Sequence, residues 1–191
     1  MQRDSERIFD EYLVVSAQAG DRAAWQRLVA RWQPRLLRHA WRLTGHADRA
    51  ADLVQDAWID IWKGLRRLDD AVAFPAWAFR IVTRRCHRAF QNADRERLSL
   101  TELADTVSES DDATGTEALA REIDLTRVRE VMAELPSTQR AALSLFHLED
   151  LSVAEIAIAL DVPPGTVKTR LMHARRKIRA RLEGDSNEQD R

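Results

Sequence analysis

The sequence predicts an all-α protein of two small helical domains joined by a flexible acidic linker. Apolar residues recur at helical spacing through most of the chain, and no segment alternates polar and apolar residues for long enough to suggest a β-sheet. This periodicity is lost over residues 94–118, where Ser, Thr, Asp and Glu accumulate. Residues 152–182 then show two helical patterns joined by a tight break, which is typical of a helix-turn-helix. We therefore place a first domain at 10–93, a linker at 94–118 and a second domain at 119–183.

The distribution of charge is more informative than its total. The 191 residues are 45% hydrophobic and 32% charged, with a net charge of −1. Residues 80–98 hold six Arg and two acids, whereas residues 99–124 hold eight acids and one Arg. Residues 164–182 hold seven Lys or Arg and no acid. The near-neutral total therefore conceals two cationic surfaces and an acidic tether.

Cysteine content and hydropathy exclude several classes of protein. Cys86 is the only cysteine, which rules out an intrachain disulfide and a cysteine metal cluster. No apolar run approaches the roughly 18 residues of a membrane span, and the N-terminus lacks the apolar core of a signal peptide. We expect a cytosolic protein that needs no cofactor.

We expect four helices in the first domain, over residues 9–18, 22–43, 48–65 and 75–93. Pro34 should kink or split the second helix, because proline lacks the N–H that continues the hydrogen-bond ladder. Most of the tryptophans should lie in the core of this bundle, because each buries a large area. They are Trp25, Trp32, Trp41, Trp58, Trp62 and Trp77.

Two charged stripes lie on these helices. Asp48, Asp52, Asp56 and Asp60 repeat every four residues, although like charges at that spacing cost a helix about 0.2–0.5 kcal/mol per pair. That stripe favours a cationic partner, with a solvated acidic face as the alternative. The next helix carries a basic stripe with no acid between residues 74 and 91, which indicates a nucleic-acid surface, a solvated face or a site for an acidic protein. It consists of Arg80, Arg84 and Arg88, with Arg85 and His87 beside them.

The second domain should contain helices over residues 119–135 and 137–147, followed by the two helices of the helix-turn-helix. Ser152 and Glu155 form a capping box at the start of the first of these. Residues 161–163 break that helix, and Pro164 can open the next one. The tail after Gly184 is expected to be disordered.

The helix from residue 164 to 182 has the amphipathic pattern of a DNA-reading helix. Its apolar residues fall within an arc of about 80°, at 100° per residue, and should face the protein. They are Val167, Leu171, Ala174, Ile178 and Leu182. The opposite arc carries Thr169, Met172, His173 and Arg176, and cationic residues flank it. A polar centre between cationic flanks suits base edges and phosphates of a major groove, with a basic surface helix as the alternative.

Several motifs together resemble one family. The second domain contains LP-x-x-QR (Leu135, Pro136, Gln139, Arg140), LSVAEIA and GTVKTRLMHARRKI, and the first contains DLVQDAWIDIW and FPAWAFRIVTRR. In this order and spacing, over about residues 10–183, they resemble bacterial RNA polymerase sigma factors of the extracytoplasmic-function type, group IV of the sigma-70 family.

The resemblance implies a DNA-binding role for each domain. The second domain would read a −35 promoter element in duplex DNA. The first would melt and capture the −10 element, with the loop at 68–74 taking up a flipped-out base. The implied −35 residues are Lys168, Thr169, Arg170, Met172, His173 and Arg176. The implied −10 residues are Asp69, Asp70, Phe74, Trp77, Arg80, Arg84, Arg85 and Arg88.

The resemblance also implies partners. Core RNA polymerase would be bound through its β′ clamp helices and β flap, and an anti-sigma factor is a common regulator in the family. The residues expected to meet the clamp helices are Asp48, Asp52, Gln55 and Asp56.

Two positions depart from the family pattern. The family commonly has consecutive acids where this chain has Ala51-Asp52, so one clamp-facing charge is missing. Phosphorylation of a nearby threonine such as Thr44 is one way to restore it. The family also often has Asn at the position of Arg84, which adds a contact suited to a phosphate.

Two other classes fit the sequence less well. The words EIA and GTVKTR also resemble LuxR-like regulators, but the Trp-rich first half lacks the α/β pattern of a receiver domain. An enzyme is disfavoured because the histidines form no HExxH-like spacing and no Gly-rich phosphate loop is present. Cys86 and His87 are adjacent on a helix and therefore point about 100° apart, so adjacency does not make them a catalytic dyad.

Overall fold

The computed structural model describes residues 2–99 and 132–189, with side chains over residues 5–91 and 132–181. These ranges contain seven α-helices, one short 3-10 helix and no β-strand. The first domain comprises α1 (Gln2–Gln18), α2 (Arg22–Thr44), α3 (Ala47–Leu65), the 3-10 helix (Ala71–Ala73) and α4 (Phe74–Ser99). The second comprises α5 (Ser137–His147), α6 (Val153–Leu160) and α7 (Pro164–Gln189). The all-α class is confirmed.

Most helix boundaries match the sequence patterns, and the differences have local reasons. α1 begins at Gln2 rather than Phe9, α4 continues past residue 93 to Ser99, and α7 runs through the expected tail to Gln189. Polar sequence at a helix end does not stop a helix that packing has already nucleated. Of the helix expected over 119–135, only the final residues lie within the described part, and Leu135 there is buried.

Pro34 does not split the second helix, because α2 is continuous from Arg22 to Thr44. Both ends of α2 are capped. The side chain of Asp21 accepts hydrogen bonds from the backbone N–H groups of Ala23 and Ala24. Gly45 has φ 76° and donates its N–H to the carbonyl of Trp41 at 2.8 Å. A residue without Cβ adopts this left-handed conformation without strain.

The core of the first domain forms around α2, which packs against α1, α3 and α4. Trp32 is fully buried there, with Phe74 and Phe79 in edge-to-face contact at centroid distances of 5.1 and 5.7 Å. The expectation that most tryptophans are core was too broad. Trp41 and Trp62 are 46% and 53% exposed; Trp25, Trp58 and Trp77 are partly buried at the core's edge.

The two domains pack directly on each other. α2 contacts α5, and α4 lies along α6, so both long helices of the first domain take part. Within the second domain, α5, α6 and α7 enclose a small core. None of the helices in the described ranges combines the length and the apolar character needed to cross a membrane.

A buried histidine joins α2 to α4 in the first domain. His39 is fully buried, and its Nε2 lies 2.9 Å from the hydroxyl oxygen of Thr83. Burial, helped by the charge of Arg42 and by His87, lowers the pKa of His39 from 6.5 to about 3. The ring is therefore neutral in the folded chain at physiological pH. Below pH 6.5 the unfolded chain takes up the proton more readily than the folded chain does, so stability declines as the pH falls.

We expect the first domain to lose about 1 kcal/mol of stability between pH 7.5 and 5.5 through His39 alone. Urea unfolding at several pH values would measure this loss. His39→Gln keeps a hydrogen-bonding side chain next to Thr83 and cannot titrate, so its stability should depend less steeply on pH over this range. Equal pH dependence in the two proteins would show that His39 does not cause the loss.

Candidate DNA and polymerase interfaces

The helix-turn-helix has the geometry that its sequence predicted. The Ser152 hydroxyl accepts the Glu155 N–H at 3.2 Å, and the Ser152 N–H donates to the Glu155 carboxylate at 2.7 Å. α6 ends at Leu160, and the capping residue Asp161 is left-handed with φ 55° and ψ 46°. The next N–H, of Val162, donates to the Ala157 carbonyl at 3.0 Å and closes the turn. The capping box is confirmed, and the turn fixes the angle at which α7 leaves α6.

The inner face of α7 is buried as predicted. Val167, Leu171 and Ala174 are at most 4% exposed, and Ile178 packs against the core. The outer side holds the residues predicted to read duplex DNA. Lys168, Thr169, Met172 and Arg176 are exposed, whereas Arg170 and His173 are half-buried.

Two outer residues of α7 are already constrained by the protein. The Thr169 hydroxyl donates to the Gly165 carbonyl at 3.0 Å, one turn earlier. The hydrogen bond to Gly165 fixes the side-chain rotamer of Thr169. Partial burial of Arg170 lowers the pKa of its guanidinium. On the flank, Arg175 lies 5.1 Å from the ring of Phe146 on α5.

The acidic stripe of α3 is on the protein surface. All four residues predicted to meet the polymerase are exposed: Asp48, Asp52, Gln55 and Asp56. Ala51 is exposed as well, whereas the neighbouring Ala50 is buried. The position where the family commonly has another acid therefore faces solvent. Replacing that acid by Ala51 removes a surface charge without disturbing the core.

The basic stripe of α4 is paired with acids in this structure. Arg85 donates to Asp56 at 3.0 Å and also pairs with Asp60 at 2.6 Å, both on α3. Arg80 and Arg84 both pair with Asp161, at 2.8 and 3.2 Å. Hydrogen bonds from these two arginines lower the pKa of Asp161. Three of the four arginines predicted to hold single-stranded DNA thus have carboxylate partners.

The loop before α4 presents a polar edge over a buried aromatic side chain. Asp69 and Asp70 are exposed, and Asp70 accepts the Val72 N–H at 2.9 Å to start the 3-10 helix. Phe74 is fully buried against Trp32. Trp77 is half-buried and packs against Gly64 of α3. Of the predicted −10 residues in this segment, only the two aspartates are exposed.

Sequence reasoning missed the acids that join the domains. Glu149, just after α5, is buried and pairs with Arg35 of α2 at 2.6 Å; Arg38 lies 3.9 Å away. Arg35 also reaches the buried carboxylate of Asp10 on α1, at 3.5 Å. Removing the cation from such a buried pair costs about 3–5 kcal/mol. No local pattern signals these pairs, because the Arg35–Glu149 partners are 114 positions apart.

Two residues considered from the sequence have no accessible reactive group. Thr44 is buried, and its hydroxyl hydrogen-bonds to the backbone of His46, so a kinase could reach it only after local opening. The proposed phosphorylation of Thr44 is therefore disfavoured. Cys86 is buried, which raises the pKa of its thiol to about 12, while His87 is exposed. These two residues do not form a nucleophile–base pair.

The architecture defines a two-domain helical protein with a DNA-reading helix-turn-helix, and comparisons with known proteins identify its family. Residues 28–96 match the model of sigma-70 region 2, and residues 125–178 match the model of sigma-70 region 4. The chain is 30% identical over 182 residues to the ECF RNA polymerase sigma-E factor of Escherichia coli K12, covering 91% of this chain and 94% of that protein. The RNA polymerase sigma-H factor of Pseudomonas aeruginosa is 29% identical over 181 residues, with the same two coverages. The chain belongs to the extracytoplasmic-function sigma factors of the sigma-70 family, which are alternative sigma factors that direct promoter-specific transcription.

Two solved structures share the fold. CnrH, in complex with the cytosolic domain of CnrY, has a TM-score of 0.62 at 24% identity, covering 93% of this chain and 99% of CnrH. The sigma factor RpoE of Bartonella quintana, in complex with the anti-sigma factor NepR, has a TM-score of 0.65 at 23% identity, covering 83% of this chain and 96% of that one. The LuxR-like alternative is disfavoured, because the first half of the chain matches sigma-70 region 2.

Gly64 gives a stability test of the Trp77 position. A Cβ on Gly64 would lie 2.8 Å from Cζ2 of Trp77, closer than side chains can approach. Gly64→Ala should therefore cost about 1 kcal/mol even though Ala favours a helix. In a Trp77→Leu background the same change should cost much less. Urea unfolding of the four proteins measures this coupling; an equal cost in both backgrounds would place the indole elsewhere.

Proposed function

We propose that this sigma factor binds core RNA polymerase and uses its two domains to bind two separate promoter elements. The observation that carries this proposal is the separation of charge on the exposed surface. An acidic stripe lies on α3, whereas residues 164–182 of α7, on the other domain, carry seven Lys or Arg and no acid. Acidic and basic surfaces of this kind suit a cationic protein partner and DNA, respectively.

The second domain reads a −35 element in duplex DNA through α7. Thr169, Met172 and Arg176 lie at the centre of its exposed face, with His173 half-buried beside them. Lys168 and Arg170 are placed at the side of that face, where they can reach phosphates. This division follows the general rule that phosphate contacts position a protein and base contacts specify the sequence.

The first domain captures the −10 element as a single strand along α4. Arg80, Arg84, Arg85 and Arg88 supply the cations for its backbone, and Asp69 and Asp70 border the pocket for a flipped-out base. Because Phe74 is buried under the loop, we propose that it supports the loop from the core. Trp77, packed on Gly64, forms the wall next to that pocket. Reading an unstacked base in a pocket is one way to couple recognition to strand opening.

The polymerase contact is the acidic stripe of α3. Asp48, Asp52, Gln55 and Asp56 are exposed together and suit the cationic β′ clamp helices. The second domain meets the β flap. With Ala51 in place of an acid, the stripe has one charge fewer than is common in the family, so we expect a weaker electrostatic contribution to docking.

The remaining partners follow from the family. Both proteins with similar folds are described in complexes, and one of them is the sigma factor RpoE with the anti-sigma factor NepR. We propose an anti-sigma factor as a regulator of this chain too. The chain acts in the cytoplasm, where polymerase and promoter DNA are found, and has no catalytic activity of its own.

Run-off transcription with bacterial core RNA polymerase tests the function. We expect promoter-specific transcripts from a pool of genomic fragments. Asp52→Arg should weaken core binding by about tenfold, because it reverses a charge in the exposed stripe. Glu6→Arg, the same reversal at an exposed position of α1, should leave core affinity unchanged. The absence of any specific transcript would contradict the function, and unchanged affinity of the Asp52 variant would contradict the polymerase site.

Selection of −35 sequences by the holoenzyme tests the reading face of α7. Thr169→Val and His173→Ala should change the preferred bases, with about 1–3 kcal/mol of altered discrimination at the affected positions. Arg179→Ala should weaken binding to all sequences alike and reduce the salt slope by about one. If all three variants lost affinity uniformly, the assignment of base-reading and phosphate-binding positions would be wrong.

A further inference from the structure

The ion pairs that join the two domains in the described ranges share one polarity. At three separate places the first domain supplies a cation and the second an anionic or carbonyl oxygen. Arg35 pairs with Glu149 at 2.6 Å, and Arg7 lies 3.7 Å from Glu155 and donates to the backbone carbonyl of Asp150 at 2.8 Å. The third place joins α4 to the turn of the helix-turn-helix. The second domain therefore docks through an acidic edge, although its other side carries the basic α7.

The third contact lies on the strand-binding face of α4. One oxygen of the Asp161 carboxylate accepts from Nε and Nη2 of Arg80, at 3.1 and 2.8 Å. The other oxygen accepts from Nε of Arg84 at 3.2 Å. Two guanidinium groups one helical turn apart thus share one carboxylate, with each oxygen assigned to one arginine. The two non-bridging oxygens of a nucleic-acid phosphate can accept hydrogen bonds from the same two guanidinium groups.

The position of Asp161 is set by rigid structure on both sides. Its backbone is left-handed, and its N–H donates back to the last turn of α6. α6 itself lies along α4. The carboxylate is therefore held at the two arginines by the packed helix-turn-helix, and the turn that places α7 also places this charge.

We propose that the docked second domain is autoinhibitory: the Asp161 carboxylate occupies Arg80 and Arg84 in place of a DNA phosphate. A single strand can then use this part of α4 only after the domains separate. The inference rests on the proposed function in one respect, namely that α4 is the strand-binding face. Arg84, at a position where the family often has Asn, supplies the second guanidinium that pairs with Asp161.

The contact is suited to being reversible. Arg80 and Asp161 are each 38% exposed in their side chains, and Arg84 is 49% exposed. Ion pairs this accessible to water and salt are individually weak and exchange readily. A strand that offers several phosphates along α4 can therefore compete with one carboxylate, whereas an isolated anion competes poorly.

Binding of single-stranded DNA by the full chain, without polymerase, tests the proposal. The probe is a fluorescent 20-nucleotide oligo-dT, followed by anisotropy at about 0.1 M salt. Asp161→Asn removes the charge and keeps a residue type that tolerates the left-handed turn. We expect it to bind the probe about threefold to tenfold more tightly than the unaltered chain does. Asp161→Gly, which also suits this conformation, should show at least the same gain.

Glu6→Gln is the matched control, because it removes one exposed carboxylate of α1 outside the contact. A gain for Asp161→Asn no larger than that of Glu6→Gln would reduce the effect to net charge and overturn the proposal. The gain must also depend on the two arginines. It should disappear when Asp161→Asn is combined with Arg80→Ala and Arg84→Ala, and a gain that persists there would equally overturn the proposal.

The outcomes separate this inference from the proposed function. If promoter-specific transcripts were found but Asp161→Asn did not bind the oligo-dT probe more tightly, the autoinhibitory contact would be refuted and the sigma function would stand. A gain that depends on Arg80 and Arg84, without any transcript, would establish the contact as a block to nucleic-acid binding and remove the promoter function.

Discussion

Burial of α2 is the interaction on which the rest of the structure depends. Its inner face brings Trp32 against Phe74 and Phe79, so one side chain fixes both the start of α4 and the loop in front of it. Arg35, on the same helix, lies 3.9 Å over the Trp32 ring and extends to Glu149 of the second domain. The packing of the core and the docking of the domains therefore depend on residues of the same turn of α2. A change that rotates α2 alters both.

The sequence was most informative where structure is decided locally. The capping box of Ser152 and the buried and exposed faces of α7 follow from spacing alone, and both are present. The burial of each individual tryptophan could not be predicted in this way. Residue type indicates a tendency to be buried, but it does not indicate on which side of a helix the neighbouring helices will pack. Trp62 is half-exposed for that reason. The partners of Arg35 and Arg80 were also beyond prediction, since they come from a separate domain and have no signature in the local pattern.

The charged stripes at the candidate sites were recognisable in the sequence, but the residues that pair with them in the folded chain were not. The repeat of aspartates on α3 and of arginines on α4 was visible in the sequence, and the structure shows the two helices packed side by side with Arg85 between them. The near-neutral net charge of the sequence conceals this arrangement. The chain carries strong charge of both signs, and much of it is neutralised internally at surfaces that also suit external partners.

The position of Arg85 has a thermodynamic consequence. It bridges Asp56 and Asp60, so one of its two partners belongs to the surface proposed for the polymerase, while Arg85 itself belongs to the surface proposed for DNA. If a cation of the polymerase pairs with Asp56, part of the Arg85 guanidinium becomes available to a DNA phosphate. If a phosphate pairs with Arg85, Asp56 becomes available to a cation. Linkage requires the two effects to be equal in free energy. The two ligands would then bind with positive cooperativity through a single side chain, without a change of fold.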